Sequence, residues 1–304
     1  NFTPFIPPSQ PASTVEGSSA VTGVMTQPLW QFATGMTPSV YGVPGILSGA
    51  ALVFFAFIGF DVVATASEET KNPHKNVPLG IGVGMLLIIV MYMLVAVVTT
   101  GMVSYADLAK QDSPSLATAF ELVGADWAAK IISFGIVLGL ATVVIVLLLG
   151  LTRIVFAMSR DGLLPRGLSK TGKHGTPAAL QIVVGAVVAL VAAFFDIGVL
   201  SDMVNIGTLS AFTLVAISIP IMRKKRPDLP RAFKMPGSPW IPILIAVANF
   251  WLMLNLSVLT WIRFVVWLVV GFAIYFGYGY WHARLGKGDL TETLSAETDK
   301  AVNG

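Results

Sequence analysis

Residues 54–61 read Phe-Phe-Ala-Phe-Ile-Gly-Phe-Asp, and they lie within a run, 45–66, that is otherwise apolar enough to cross a bilayer. Glycine in a helix interior gives up about 1 kcal/mol relative to alanine. A carboxylate near the middle of a membrane costs about 2.5–3.5 kcal/mol. A segment that only had to span would carry neither Gly59 nor Asp61. A break at Gly59 would free carbonyls before it and N–H groups after it, which survive in hydrocarbon only if buried in protein or lining a wet cavity. Free carbonyls suit an ammonium or a cation, and a helix N-terminus suits a carboxylate. Phe54, Phe55, Phe57 and Phe60 would give such a cavity apolar walls. The alternative is a packed helix that tolerates its glycine.

The chemistry on offer is binding. There is no Ser/His/Asp set, phosphate loop or metal-ligand spacing, so no catalytic, cofactor or metal residue is expected and an enzyme reading has no support. With no cysteine, disulfides and thiolate sites are excluded.

The elements that must carry this stretch are apolar. Of 304 residues 55% are hydrophobic and only 12% charged, and the mean hydropathy is +0.79; soluble domains carry about a quarter charged residues. The fold class is therefore all-α integral membrane protein, with seven transmembrane helices over 45–66, 77–103, 127–158, 178–195, 203–222, 240–259 and 262–280. Each is near the roughly 20 residues a spanning helix needs. The runs are apolar all round, without the alternation of a barrel strand.

Of the 19 Lys and Arg, only Lys110, Lys130 and Arg263 fall on one side of this arrangement. The rest lie in 67–76, 153–177, 223–239 and 281–304, which makes that side cytoplasmic. The chain is thus expected to be a multi-pass protein of the cell membrane, N-terminus outside and C-terminus inside. Its pI of about 9.1 follows from topology and contact with the lipid bilayer, not from nucleic acid binding. Residues 1–41, free of Lys and Arg, form an extracellular segment; 42–285 form the transmembrane domain; 286–304 form a disordered cytoplasmic tail. The external link 104–126 carries a lid-like helix, with Ser113-Pro114 as cap and first position and Gly124 as its end. Asp-Gly and Pro165 close the turn after 153–160, and Asp196 and Asp202 flank a solvated outer turn. Gly135 and Gly139 form a small-residue pair suited to close helix packing, and Asn205 is placed to bond to a neighbouring helix.

Three stretches carry a resemblance: FFAFIGFDVVATASEETKNP at 54–73, RIVFAMSRDGLLP at 153–165, and NIGTLSAFTLVAISIPIMRKKRPDLPRAFKMPG at 205–237. Together and in this order they resemble permeases of the amino acid–polyamine–organocation superfamily, in the cationic amino acid transporter-like subfamily. The resemblance implies a twelve-helix fold built from two inverted five-helix repeats plus two helices, in which the first run here is helix six and the last helix twelve. It implies a C-terminal fragment, inactive alone, whose missing partners are helices one to five of the same permease.

In that family helices one and six are broken at mid-membrane and hold the α-amino and α-carboxylate groups of the substrate. Carried over, Ala56, Phe57 and Ile58 would offer carbonyls to the ammonium and Phe55 would close over the substrate. Gly59 would be the break, and Asp61 the acid just past it. Val144, Ile145 and Leu148 would border the substrate side chain, with Ile145 the position assigned to the site. Their apolar character favours neutral amino acids. Thr142 is the only mid-helix hydroxyl suited to the sodium site of related folds, which disfavours sodium; the resemblance implies proton coupling, through residues of the missing helix five, and secondary active amino acid transport by alternating access. The alternatives are a polyamine or cationic amino acid exchanger of the same superfamily, or a seven-helix membrane receptor or ion pump. The last matches by helix count but has no lysine at the centre of the last run.

Overall fold

The computed structural model describes residues 8–11, 23–37, 39–60, 70–111, 114–169, 177–227 and 237–283. They divide into two compact units, Asn1–Thr142 with Ile197–Phe264 and Val143–Asp196 with Val265–Gly304.

In the first unit a short helix α1 (Leu29–Thr34) and a two-residue antiparallel ribbon, β1 (Gln10–Pro11) with β2 (Ser39–Val40), precede α2 (Gly42–Val53). Helix α3 runs over Pro73–Met102, with proline in its first turn. Two short helices follow, α4 (Tyr105–Ala109) and α5 (Leu116–Leu122). The expected external helix is present, but its cap is Ser115, whose Oγ accepts the Thr118 N–H at 3.2 Å; Ser113 lies outside the described residues. Gly124, at φ 76°, ends it as expected, and the Ala125 N–H returns to the Phe120 carbonyl.

Helix α6 (Asp126–Arg160) runs from the first unit into the second, α7 covers Ala178–Phe194 and α8 covers Ile197–Lys225. Helix α9 spans Trp240–Leu254; α10 spans Val258–Ile274 and continues through a π turn, Tyr275–Gly279, to His282. Among the described residues four helices are long and apolar enough to cross a membrane: α3, α6, α8 and α10 with its continuation. Three apolar helices, Gly42–Phe57, Ala178–Phe194 and Trp240–Leu254, are shorter. The most apolar stretches of α3 and α6 bury nothing within the protein. Such surface needs lipid or further helices around it.

Several boundaries differ from the pattern of apolar runs, and two of them are set by polar contacts. Helix α10 begins at Val258, not after residue 260, because the Ser257 Oγ accepts the Thr260 N–H at 3.2 Å and caps it. Asp202 does not sit in a solvated turn. It lies within α8, half-buried, and accepts the Thr260 hydroxyl at 3.1 Å; the side chain turns inward because α10 offers it a buried donor. At Gly135 and Gly139 an added Cβ would meet open space, so this pair closes against no helix among the described residues.

The core of the first unit is Ala51, Ile206, Leu209, Met253 and Leu256, with Phe54, Trp261 and Phe264 packed on it. Segment 23–36 clasps the α9–α10 turn. The Leu29 N–H donates to the Leu256 carbonyl, and the Val258 and Leu259 N–H groups donate to Gln27 and Met25. Trp30 stacks on Trp251 and donates its indole N–H to Asn255 Oδ1 at 2.9 Å.

In the second unit the turn after α6 is closed as its sequence implies. The Ser159 Oγ donates to the Pro165 carbonyl at 2.7 Å, and Gly162 turns with φ 83°. A Cβ at Gly162 would collide with the His282 carbonyl, so only glycine fits there.

Trp30→Phe keeps the ring contact but leaves the buried Asn255 Oδ1 without a donor. It is expected to cost about 1–3 kcal/mol, read as a lower melting temperature in detergent and faster proteolysis within 23–36. Adding Asn255→Leu should recover part of that loss, since both partners are then gone.

Candidate functional site

Helix α2 stops being an α-helix well before its apolar run ends. It tightens into a 3-10 turn at Phe54–Phe57; Ile58 is extended at φ −67° and ψ 139°; Gly59 has φ 120°. No Cβ would clash at Gly59, so the requirement for glycine there is one of backbone conformation alone. The regular helix thus ends ahead of Gly59, the position expected for the break, and the residues from 61 to 69 lie outside the described ones. The Ile58 N–H reaches back to the Phe55 carbonyl at 3.2 Å and ends the turn.

Two neighbouring helices supply donors to the loosened end. From α8, the fully buried Asn205 donates its amide N–H to the Leu52 carbonyl at 3.3 Å. Its Oδ1 has no hydrogen-bond partner among the described residues. From α3, the Tyr92 hydroxyl donates to the Ala56 carbonyl at 2.8 Å, and its ring meets Phe57 edge-on at 5.1 Å. Among the described residues no donor reaches the carbonyls of Phe57 and Ile58. Phe212 of α8 touches Phe54 at 6.1 Å and Phe60 at 5.3 Å, and so holds both sides of the break. This places the four phenylalanines in different roles. Phe54 packs on the core, while Phe55 is 44% exposed beside the break.

Phe55, Ala56, Phe57, Ile58 and Gly59 are therefore gathered in one turn and its exit. Asp61 lies outside the described residues. Ile145 stands on α6 in the second unit, 60% exposed. The Thr142 hydroxyl is bonded to the Leu138 carbonyl of its own helix at 3.0 Å. Tyr92 was not foreseen. The one available signal was a phenol in the middle of an apolar run, since such a hydroxyl needs a partner. Asn205 does bond to a neighbouring helix, as its position suggested.

Long apolar helices together with a shorter one broken at a glycine define a helical, multi-pass membrane protein. The chain belongs to the amino acid permease family, whose model matches residues 5–280. It is 47% identical over 247 residues to the branched-chain amino acid permease BcaP of Bacillus subtilis (strain 168), covering 81% of this chain and 53% of the relative. It is 43% identical over 248 residues to the methylthioribose transporter of the same organism, with coverage of 81% and 53%. Cationic amino acid transporter 3, mitochondrial, of Arabidopsis thaliana is 44% identical over 195 residues, 64% of this chain and 31% of that protein. The chain thus spans about half the length of the two bacterial relatives.

Gly59→Ala should cost about 1–3 kcal/mol through backbone strain alone, measured by thermal unfolding. Asn205→Asp should be more damaging than Asn205→Leu. The aspartate offers Leu52 no donor and buries a charge, whereas leucine also removes the unpartnered Oδ1.

Proposed function

We propose that this chain forms part of a secondary active amino acid transporter that works by alternating access, takes up neutral amino acids and is driven by the proton gradient. The observation that carries the reading is the break at Gly59, which presents main-chain carbonyls inside an apolar helix. The α-ammonium of the substrate would bind at Ala56, Phe57 and Ile58, Phe55 would close over it, and Ile145 would border its side chain. Asp61 would anchor the far half of the helix or meet the substrate. Helices beyond the part matched in the relatives would complete the site, in a twelve-helix fold with seven spans contributed here.

The similarity to the branched-chain permease supports a neutral, apolar substrate, as does the character of Val144, Ile145 and Leu148. The expected topology has support too. Residues assigned outside meet one another in the first unit, Tyr41 with Tyr105 at 5.3 Å and segment 23–36 with the α9–α10 turn. A second reading, a methylthioribose carrier, is favoured by the 43% identity to that transporter; such a substrate has neither ammonium nor carboxylate.

The full-length protein in liposomes should take up labelled leucine saturably, with uptake raised by an inward proton gradient and abolished by a protonophore. Uptake of methylthioribose in place of every amino acid tested would overturn the amino acid reading, and indifference to the gradient would overturn proton coupling. Phe55→Ala should reduce uptake at least about tenfold, the equivalent of about 1.4 kcal/mol. Phe54→Ala should lower thermal stability more than it lowers uptake per folded molecule. Equal effects on uptake would remove Phe55 from the gate.

A further inference from the structure

Tyr92 is the side chain that most directly occupies the break. The threonines further along α3 bond to carbonyls of their own helix, Thr99 to Val95 at 2.8 Å and Thr100 to Ala96 at 2.7 Å. Tyr92 instead reaches across to α2 and donates to Ala56 at 2.8 Å. The Ala56 carbonyl would ordinarily accept a main-chain N–H three or four residues on, from Gly59 or Phe60. The extended conformation of Ile58 and the positive φ of Gly59 turn that segment away, and the phenol stands in for the missing donor. Its ring lies against Phe57, so the side chain covers the stretch whose carbonyls are proposed to receive an ammonium.

A charged donor bonds a carbonyl about twice as strongly as a neutral hydroxyl, and a bound ammonium would compete with Tyr92 for the Ala56 carbonyl. We infer that Tyr92 is a specificity-determining residue, whose hydroxyl holds the Ala56 carbonyl in the empty site and yields it only to a ligand that carries an ammonium. This rests on the substrate site proposed above. A ligand without the ammonium leaves the phenol in place and gains nothing from Ala56. Displacement of Tyr92 also releases α3 from the break, so the amino group that is recognised is the one that loosens the contact between the two helices.

The test is Tyr92→Phe in the full-length protein. It measures equilibrium binding of leucine and of its 2-hydroxy analogue, which keeps the carboxylate and side chain but lacks the ammonium. Without the competing hydroxyl, leucine should bind about three- to tenfold more tightly, the range expected for removal of one neutral hydrogen bond. The analogue should change by less than about twofold, so the preference for leucine widens. A brace would behave differently, since Tyr92→Phe would then weaken both ligands alike. That result, or an unchanged preference, overturns the inference and leaves the site in place. Equal binding of leucine and the analogue by the unaltered protein would overturn the site itself and the inference with it. Tyr92→Leu, which removes the ring as well, should show the same widened preference and gives a second reading should the phenylalanine variant fold poorly.

Discussion

A main-chain carbonyl freed inside an apolar helix must find a donor, and most of what surrounds α2 follows from that requirement. Where the helix loosens, Asn205 of α8 serves Leu52 and Tyr92 of α3 serves Ala56, one position before the turn and one within it. An apolar residue at 92 would leave the Ala56 carbonyl without a donor among the described residues, whereas the Leu52 carbonyl also accepts a main-chain N–H at the end of α2. The packing follows the same logic. Ala51, Ile206 and Leu209 are fully buried just before the break, so the helix is fixed up to Val53 and departs from regularity only where side chains can answer for it. Phe212 then spans the irregular segment by touching aromatic rings on both sides.

Among the described residues, side-chain hydrogen bonds between helices of the first unit concentrate in two places, the break and the ends of α8, α9 and α10. At those ends Ser257, Thr260 and Asp202 form a connected chain of hydroxyls and carboxylate, and Asn255 is satisfied on both faces, by Trp30 and by the Trp251 carbonyl. Thr260 is fully buried, which is tolerable because its hydroxyl and its N–H both have partners. The long apolar stretches of α3 and α6 show the opposite character, with large aliphatic side chains exposed and little to pair. A chain built this way keeps its hydrogen-bonding demands near the ends and at one deliberate irregularity.

The apolar runs were legible because bilayer thickness sets their length and composition. The break was legible because a glycine followed by an acid is costly in that setting. Gly124 and the Asp161-Gly162 turn were legible because a positive φ selects glycine. What the pattern hid was any feature that depends on a neighbour. In helices apolar all round, periodicity does not say which face meets protein. The small pair Gly135 and Gly139 therefore suggested a packed seam that no helix among the described residues completes, and Tyr92 passed as one more aromatic. The start of α10 was obscured for a related reason: Asn-Leu-Ser-Val between two apolar runs does not break the hydropathy, and only the Ser257 hydroxyl marks the helix start. Asp202 was assigned to water because its partner, Thr260, is 58 residues away in the chain.

In the proposed site, recognition through main-chain carbonyls would constrain how selectivity can be tuned. A carbonyl is present whatever the side chain, so substitutions at Ala56, Phe57 or Ile58 alter the walls and leave the acceptors in place. The groups that can change what those acceptors do are the ones that compete for them or orient them, namely Tyr92, Asn205 and the residue at 59. Relatives named for branched-chain amino acids and for cationic amino acids both match this chain. A recognition element made of backbone suits such a family, because it reads what amino acids share and leaves side-chain selection to other positions. In the site proposed above, Gly59 and Tyr92 would govern whether a ligand is treated as an amino acid at all, and apolar residues such as Ile145 would govern which amino acid is preferred. On that proposal the two kinds of selectivity would separate experimentally: changes at 92 would alter discrimination by the amino group, and changes at 145 would alter discrimination by the side chain.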